Sequence, residues 1–146
     1  MTREINKLRE ATGAGVMDCK KALEEAGGNF DKALEIIKEK GAAIAEKRSE
    51  RKTGAGVLEA FIHNGRVGVL LELRTETDFV ARSEPFQELA HEIALHIAAM
   101  APENVESLLE EPYVKDESMN IDALIKSVIG KVGENIKVER FVRYEL

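Results

Sequence analysis

The spacing of apolar residues changes at Thr53-Gly54-Ala55-Gly56, from a helical period before it to alternation after it. A helix buries a stripe that recurs every three or four residues, whereas a strand buries every second residue. A chain that carries both patterns, helical first, points to an α+β protein: a helical unit followed by an antiparallel sheet covered by helices.

Before the change, three short helices are expected. Ile5, Leu8 and Thr12 share one face of the first, which Gly13 closes. Val16, Cys19, Leu23 and Ala26 stack along the second, which ends at Gly27-Gly28. Asn29 then caps a third helix whose inner face is Phe30, Ala33, Leu34 and Ile37. The expected organisation is a three-helix domain at 1–40, a basic linker at 41–55, and an α+β core domain at 56–146. The linker contains Lys47, Arg48, Arg51 and Lys52, a run that reads as a solvated linker helix or, alternatively, as a phosphate-binding strip.

In the core, Val57, Glu59, Phe61 and His63 alternate with Leu58, Ala60 and Ile62. Asn64-Gly65 then signals a tight hairpin, because both residue types tolerate the positive φ that such turns require. Val67, Val69, Leu71 and Leu73 line one face of the return strand. Phe86, Leu89, Ala90, Ile93 and Ile97 form the buried stripe of a helix ending before Pro102, and 101–120 reads as a surface connection. Ile121, Leu124, Ile125, Val128, Ile129 and Val132 mark a further helix stopped by Gly133, and Ile136, Val138, Phe141 and Val142 a last strand.

Charge narrows the partners. The chain of 146 residues has a formal net charge of −6, which argues against a dedicated nucleic-acid binder, since phosphate affinity comes from Lys and Arg. The charge is uneven: residues 1–52 carry 12 basic and 10 acidic side chains, and residues 53–146 carry 9 and 17. The single cysteine, Cys19, excludes an internal disulfide and fits a reducing compartment. The first residues begin no apolar run of signal-peptide length, and 67–73 is too short and too interrupted to span a bilayer. A cytoplasmic protein without membrane contact is the expectation.

Motifs for chemistry are missing. No G-x-x-x-x-G-K-[ST] loop and no G-x-G-x-x-G run occurs. His91 and His96 are five residues apart, which sets them roughly 140° apart around a helix at about 100° per residue, so they do not form a zinc-protease pair. Cys19 sits at a core-facing position of its helix and reads as structural. No catalytic residue, cofactor or metal is expected, and the chain does not read as an enzyme.

Two segments are more specific than any of these patterns: Leu8-Arg9-Glu10-Ala11-Thr12-Gly13-Ala14-Gly15-Val16-Met17-Asp18-Cys19-Lys20-Lys21-Ala22-Leu23 and Glu76-Thr77-Asp78-Phe79-Val80-Ala81-Arg82. Both resemble the elongation factor Ts family, in the order and spacing found there. Gly133-Glu134-Asn135-Ile136 and Arg140-Phe141-Val142-Arg143-Tyr144 are similar to that family's closing strand. The resemblance implies a ubiquitin-associated-like three-helix domain, a short linker and a sheet-containing core. It also implies guanine nucleotide exchange on elongation factor Tu.

By the same resemblance, Asp78 and Phe79 reach into the GTPase domain of that partner, with Phe79 entering a slot near the magnesium and phosphates. Thr77 and Val80 shape the loop. Taken without the resemblance, Phe79 reads as a core aromatic and Asp78 as a helix cap. Arg9, Met17 and the neighbouring turn are implied to touch a helix of the same GTPase domain. Val16 stands where the family often has Met. His63 precedes a segment similar to one that contacts another domain of the partner. Long family members carry two core halves and this chain has one, so a homodimer with a two-fold axis is implied. The stretch 101–120 is shorter than usual there. The rival reading is a ubiquitin-associated-like binding module without exchange activity; an RNA-associated role through 47–52 and a thiol enzyme at Cys19 rank below it.

Overall fold

A computed structural model describes residues 2–146; Met1, included in the expected helical unit, lies outside them. The chain opens with α1 (Thr2–Thr12), α2 (Val16–Glu25) and α3 (Phe30–Arg48). Ile5, Leu8, Cys19, Ala22, Leu23 and Ala33 close a small core, with Phe30, Leu34 and Ile37 packed against it. Asn29 caps α3 by accepting the Lys32 amide at 3.1 Å. Val16 departs from the expected stripe, being 46% exposed at the first position of α2.

The third helix is longer than its apolar pattern suggests, running through the basic stretch to Arg48. Two close packings explain this. Ala45 is buried in the second, larger core, and Ile44 packs against it. Gly41 meets Gly130 of a later helix so closely that a Cβ built on Gly130 would lie 2.8 Å from the Cα of Gly41. The second half of α3 therefore shows a face of small residues rather than a hydrophobic stripe.

After 49–54 come β1 (Ala55–His63) and β2 (Val67–Thr75), an antiparallel hairpin with His63 opposite Val67 and Ala55 opposite Thr75. Asn64 and Gly65 turn the chain with φ of 51° and 65°, both positive as the turn requires. Then follow α4 (Asp78–Ala81), α5 (Glu84–Met100), α6 (Val105–Glu110), β3 (Pro112–Tyr113), β4 (Asp116–Asn120), α7 (Ile121–Val132) and β5 (Ile136–Glu145). β5 pairs antiparallel with β2, so the main sheet has the order β1-β2-β5. α5 and α7 cover one face, and Leu71, Leu73, Phe86, Ile93, Ile97 and Ile121 are fully buried between them. The result is the α+β architecture read from the sequence.

The stretch 101–120 is more ordered than a surface connection. Leu108 and Tyr113 enter the core. Tyr113 donates to Glu92 at 2.7 Å, and burial with that carboxylate contact holds its hydroxyl well above the usual range. His96 is fully buried, accepting the Val114 amide on Nδ1 at 3.2 Å and facing Glu111 through Nε2 at 2.9 Å. These bonds pin the β3–β4 hairpin against α5.

Candidate functional site

Phe79 is the least expected residue on the surface. It is 85% exposed, although full burial of such a side chain is worth about 1.5–3 kcal/mol. The core-aromatic reading is therefore overturned, and the reason lies in its neighbours. Val80 and Ala81, the next two residues of α4, are buried in the main core and use the inward direction of this single helical turn. Phe79 is left pointing outward.

The cap is Thr77 rather than Asp78: its hydroxyl accepts the Val80 amide at 3.3 Å, and Asp78 is exposed beside Phe79. At the other end, Gln87 donates to the Ala81 carbonyl at 2.7 Å and the Ser83 hydroxyl to the Val80 carbonyl at 2.6 Å. A helix of four residues has little stability of its own. Here both ends are stitched to the scaffold, so Asp78 and Phe79 form a firm protrusion.

A second set of residues underlies it, with no role foreseen from the sequence. Glu134 accepts the Thr77 amide at 3.0 Å and the Thr77 hydroxyl at 2.8 Å, while the Thr75 hydroxyl donates to the neighbouring Asn135 carbonyl at 2.9 Å. In return Glu76 accepts the Asn135 amide at 2.6 Å. Asn135 donates to the carbonyls of Ser49 and Arg51 at 3.3 and 3.0 Å, and Arg48 donates to that of Gly133. Arg51 also lies 3.5 Å from Glu76. The hydrogen-bonded partners are 57 to 86 residues apart in sequence, so no local pattern announces them.

The remaining expected residues fall in two further places. Arg9 is exposed near the end of α1, and Val16 and Met17, 46% and 60% exposed, begin α2. The turn between those helices faces α7, where a Cβ built on Gly13 would lie 2.7 Å from Cε of Lys131. His63 is elsewhere. It stacks on Phe61 with ring centroids 6.4 Å apart at the hairpin tip, whereas Phe79 follows the far end of β2. The eight steps from Val67 to Thr75 put those ends roughly 26 Å apart at about 3.3 Å per residue.

Cys19 is fully buried, and desolvation pushes its thiol up, which disfavours the nucleophilic thiolate. A cleft of about 450 Å³ lies between the α1–α2 turn, α3 and α7, lined by Gly13, Leu34, Ile44 and Leu124 among others, and Phe79 is not part of it. Among the described residues no group of three or more His, Cys, Asp or Glu is placed to hold a metal ion. No described helix is long and apolar enough to cross a membrane.

Comparison with known proteins gives these features a family. A family model described as Elongation factor TS matches residues 76–146, from the protrusion to the end of the chain. The elongation factor Ts of Thermotoga petrophila is 43% identical, with 97% of this chain and 94% of the relative aligned. That of Rubrobacter xylanophilus is 42% identical, covering 98% and 97%. That of Gloeothece citriformis is 40% identical, covering 97% of this chain and 66% of the longer relative. The Thermotoga alignment runs over 186 positions against the 146 residues here, so at least 40 positions are filled only in the relative. With identity of this order over nearly its whole length, the chain belongs to the elongation factor Ts family of translation factors.

Proposed function

We propose that the protein is a guanine nucleotide exchange factor that makes elongation factor Tu release its nucleotide, by pushing Phe79 and Asp78 into the magnesium and phosphate side of the partner's site. The observation that carries this reading is a large aromatic held almost fully in solvent on a helical turn fixed at both ends. A GTPase grips its nucleotide through phosphate-loop amides and a Mg²⁺ ion that demands near-octahedral geometry. A small displacement of the surrounding elements loosens several contacts at once. Burying Phe79 in an apolar slot supplies the free energy for that displacement, and no bond is made or broken by this chain.

Coupling of this kind is reciprocal: a factor that weakens nucleotide binding is itself weakened by nucleotide. Incoming nucleotide therefore releases the factor. Arg9, Val16 and Met17 give a second contact on the partner's GTPase domain, and His63 a third on another domain. Thr77 and Val80 serve the first contact by shaping its base. The reaction takes place in the cytoplasm, without cofactor or nucleic acid.

The active form is a homodimer. The sheet face turned away from α5 and α7 presents Leu58, Ile62, Leu70, Val142 and Tyr144, from 39% to 74% exposed. Glu72 sits among them, held by Arg74 at 2.7 Å and Arg140 at 2.8 Å. Contiguous apolar surface of this sort marks an interface, and two copies related by a two-fold axis cover it with one patch.

The experiment is release of a fluorescent GDP from elongation factor Tu. The protein is expected to accelerate release strongly. Phe79→Ala should lower kcat/KM about 30-fold or more, the effect of about 2 kcal/mol at an interface anchor, with an unchanged melting temperature. Binding without acceleration by the wild-type protein would favour the simple binding module instead.

A further inference from the structure

We propose that Glu134 is the positioning residue of the protrusion: it completes, from a distant loop, the helix cap that aims Phe79. The inference rests on the exchange reading above and adds to it a residue that touches neither partner nor nucleotide.

A four-residue helix lacks most of the partners that its first amides need. In a capping box the N-cap hydroxyl accepts the amide three residues on, and a Glu at that third position reaches back to the N-cap amide. The first half is present, from Val80 to the Thr77 hydroxyl at 3.3 Å. The second half is impossible locally, because the third position is Val80, and Val80 is buried in the core. Glu134, 57 residues away, fills the gap by accepting the Thr77 amide at 3.0 Å.

The same carboxylate fixes the hydroxyl as well. The single Thr77 hydroxyl proton goes to Glu134 at 2.8 Å, which turns the oxygen lone pairs toward the Val80 amide. Both Glu134 oxygens are thus committed to the base of α4. Bonds to an ionised acceptor are roughly twice as strong as neutral ones, so this cap is stiff where an ordinary Thr cap would fray.

Two further contacts tie the clamp to the scaffold. Glu76 takes the Asn135 amide at 2.6 Å, so the two loops hold each other. Asn135 and Gly133 in turn hold the C-terminal end of α3 through Ser49, Arg51 and Arg48. A misaimed prong is costly, since displacements of about 1 Å away from a reacting centre can lower rates roughly 100-fold.

The test uses the full-length protein with elongation factor Tu and fluorescent GDP. Glu134→Ala should lower the maximal release rate about tenfold or more while KM changes less than about twofold, because the contacts that dock the protein are untouched. Glu134→Gln, which keeps one acceptor oxygen, should recover most of the rate. Thr77→Val should match Glu134→Ala, and the double variant should be no worse than either alone. Amide hydrogen exchange read on the free protein should quicken at Thr77 and Val80 in Glu134→Ala and stay slow elsewhere in the core. A normal release rate in Glu134→Ala, when Phe79→Ala is inactive, overturns the positioning role and leaves the exchange reading intact. A normal rate in Phe79→Ala instead overturns the assignment of Phe79 as the working residue, and with it the positioning role, while acceleration by the wild-type protein keeps the exchange activity. Should Glu134→Ala fail to fold, Thr77→Val and Glu134→Gln decide by the same two readouts.

Discussion

Single positions show how far side-chain choice follows backbone need. Asn64-Gly65 was readable at once, because few residue pairs accept two successive positive φ values, and the hairpin turns there. Asn29 was readable as a cap for a similarly local reason. Ala101 is the opposite case. It ends α5 with φ 50° and ψ 54°, a left-handed conformation that costs a residue with a Cβ roughly 1–2 kcal/mol. Pro102 blocks further helix, and Ala101 absorbs the reversal. Ala101→Gly is expected to stabilise the protein by about 0.5–1 kcal/mol after the extra backbone entropy of glycine is offset. Urea titration checks this, and an unchanged or lower midpoint would show that the site is unstrained. Phe79 was legible as a residue of interest only through family resemblance; periodicity alone placed it in the core. Its exposure depends on Val80 and Ala81 taking the inward direction, which is a property of the turn rather than of the residue.

At the level of helices and strands, the alternating segments were the most legible, since a strand with one covered face must place Val69, Leu71 and Leu73 together. The second half of α3 was the least. Its contact with α7 uses Gly41 against Gly130 and the small face around Ala45, and a stripe of small residues leaves almost no hydrophobic signal. The two glycines are not equivalent. A Cβ on Gly41 would lie 3.9 Å from the Gly130 Cα, an ordinary contact, whereas a Cβ on Gly130 would meet Gly41 at 2.8 Å. Gly41→Ala is therefore expected to stabilise by up to about 1 kcal/mol through helix propensity. Gly130→Ala should destabilise by about 1–3 kcal/mol through overpacking. Thermal and urea unfolding of the pair test the geometry, and equal effects of the two would contradict it. The 101–120 stretch was misjudged for a related reason: His96, Glu92 and Tyr113 hold it by polar contacts between distant residues, and hydropathy does not register those.

For the molecule as a whole, the open sheet face is the main unsatisfied surface, and pairing of two copies is expected to cover it. Sedimentation of the wild-type protein should give a dimer at micromolar concentration, and Ile62→Glu or Leu70→Glu should give a folded monomer. A wild-type monomer under those conditions would remove the case for the two-fold assembly. The Glu134 clamp was out of reach of sequence reasoning at this scale too, since it joins segments that meet only when β2 and β5 pair. α3 runs unbroken from Phe30 to Arg48. Its first half is sealed among the N-terminal helices, its second half leans on α7, and its end is gripped beside the prong. The helix thus joins the two cores without an intervening loop. The N-terminal helices and the base of Phe79 are therefore linked through one continuous helix and the 133–135 loop, with no flexible tether between them in sequence.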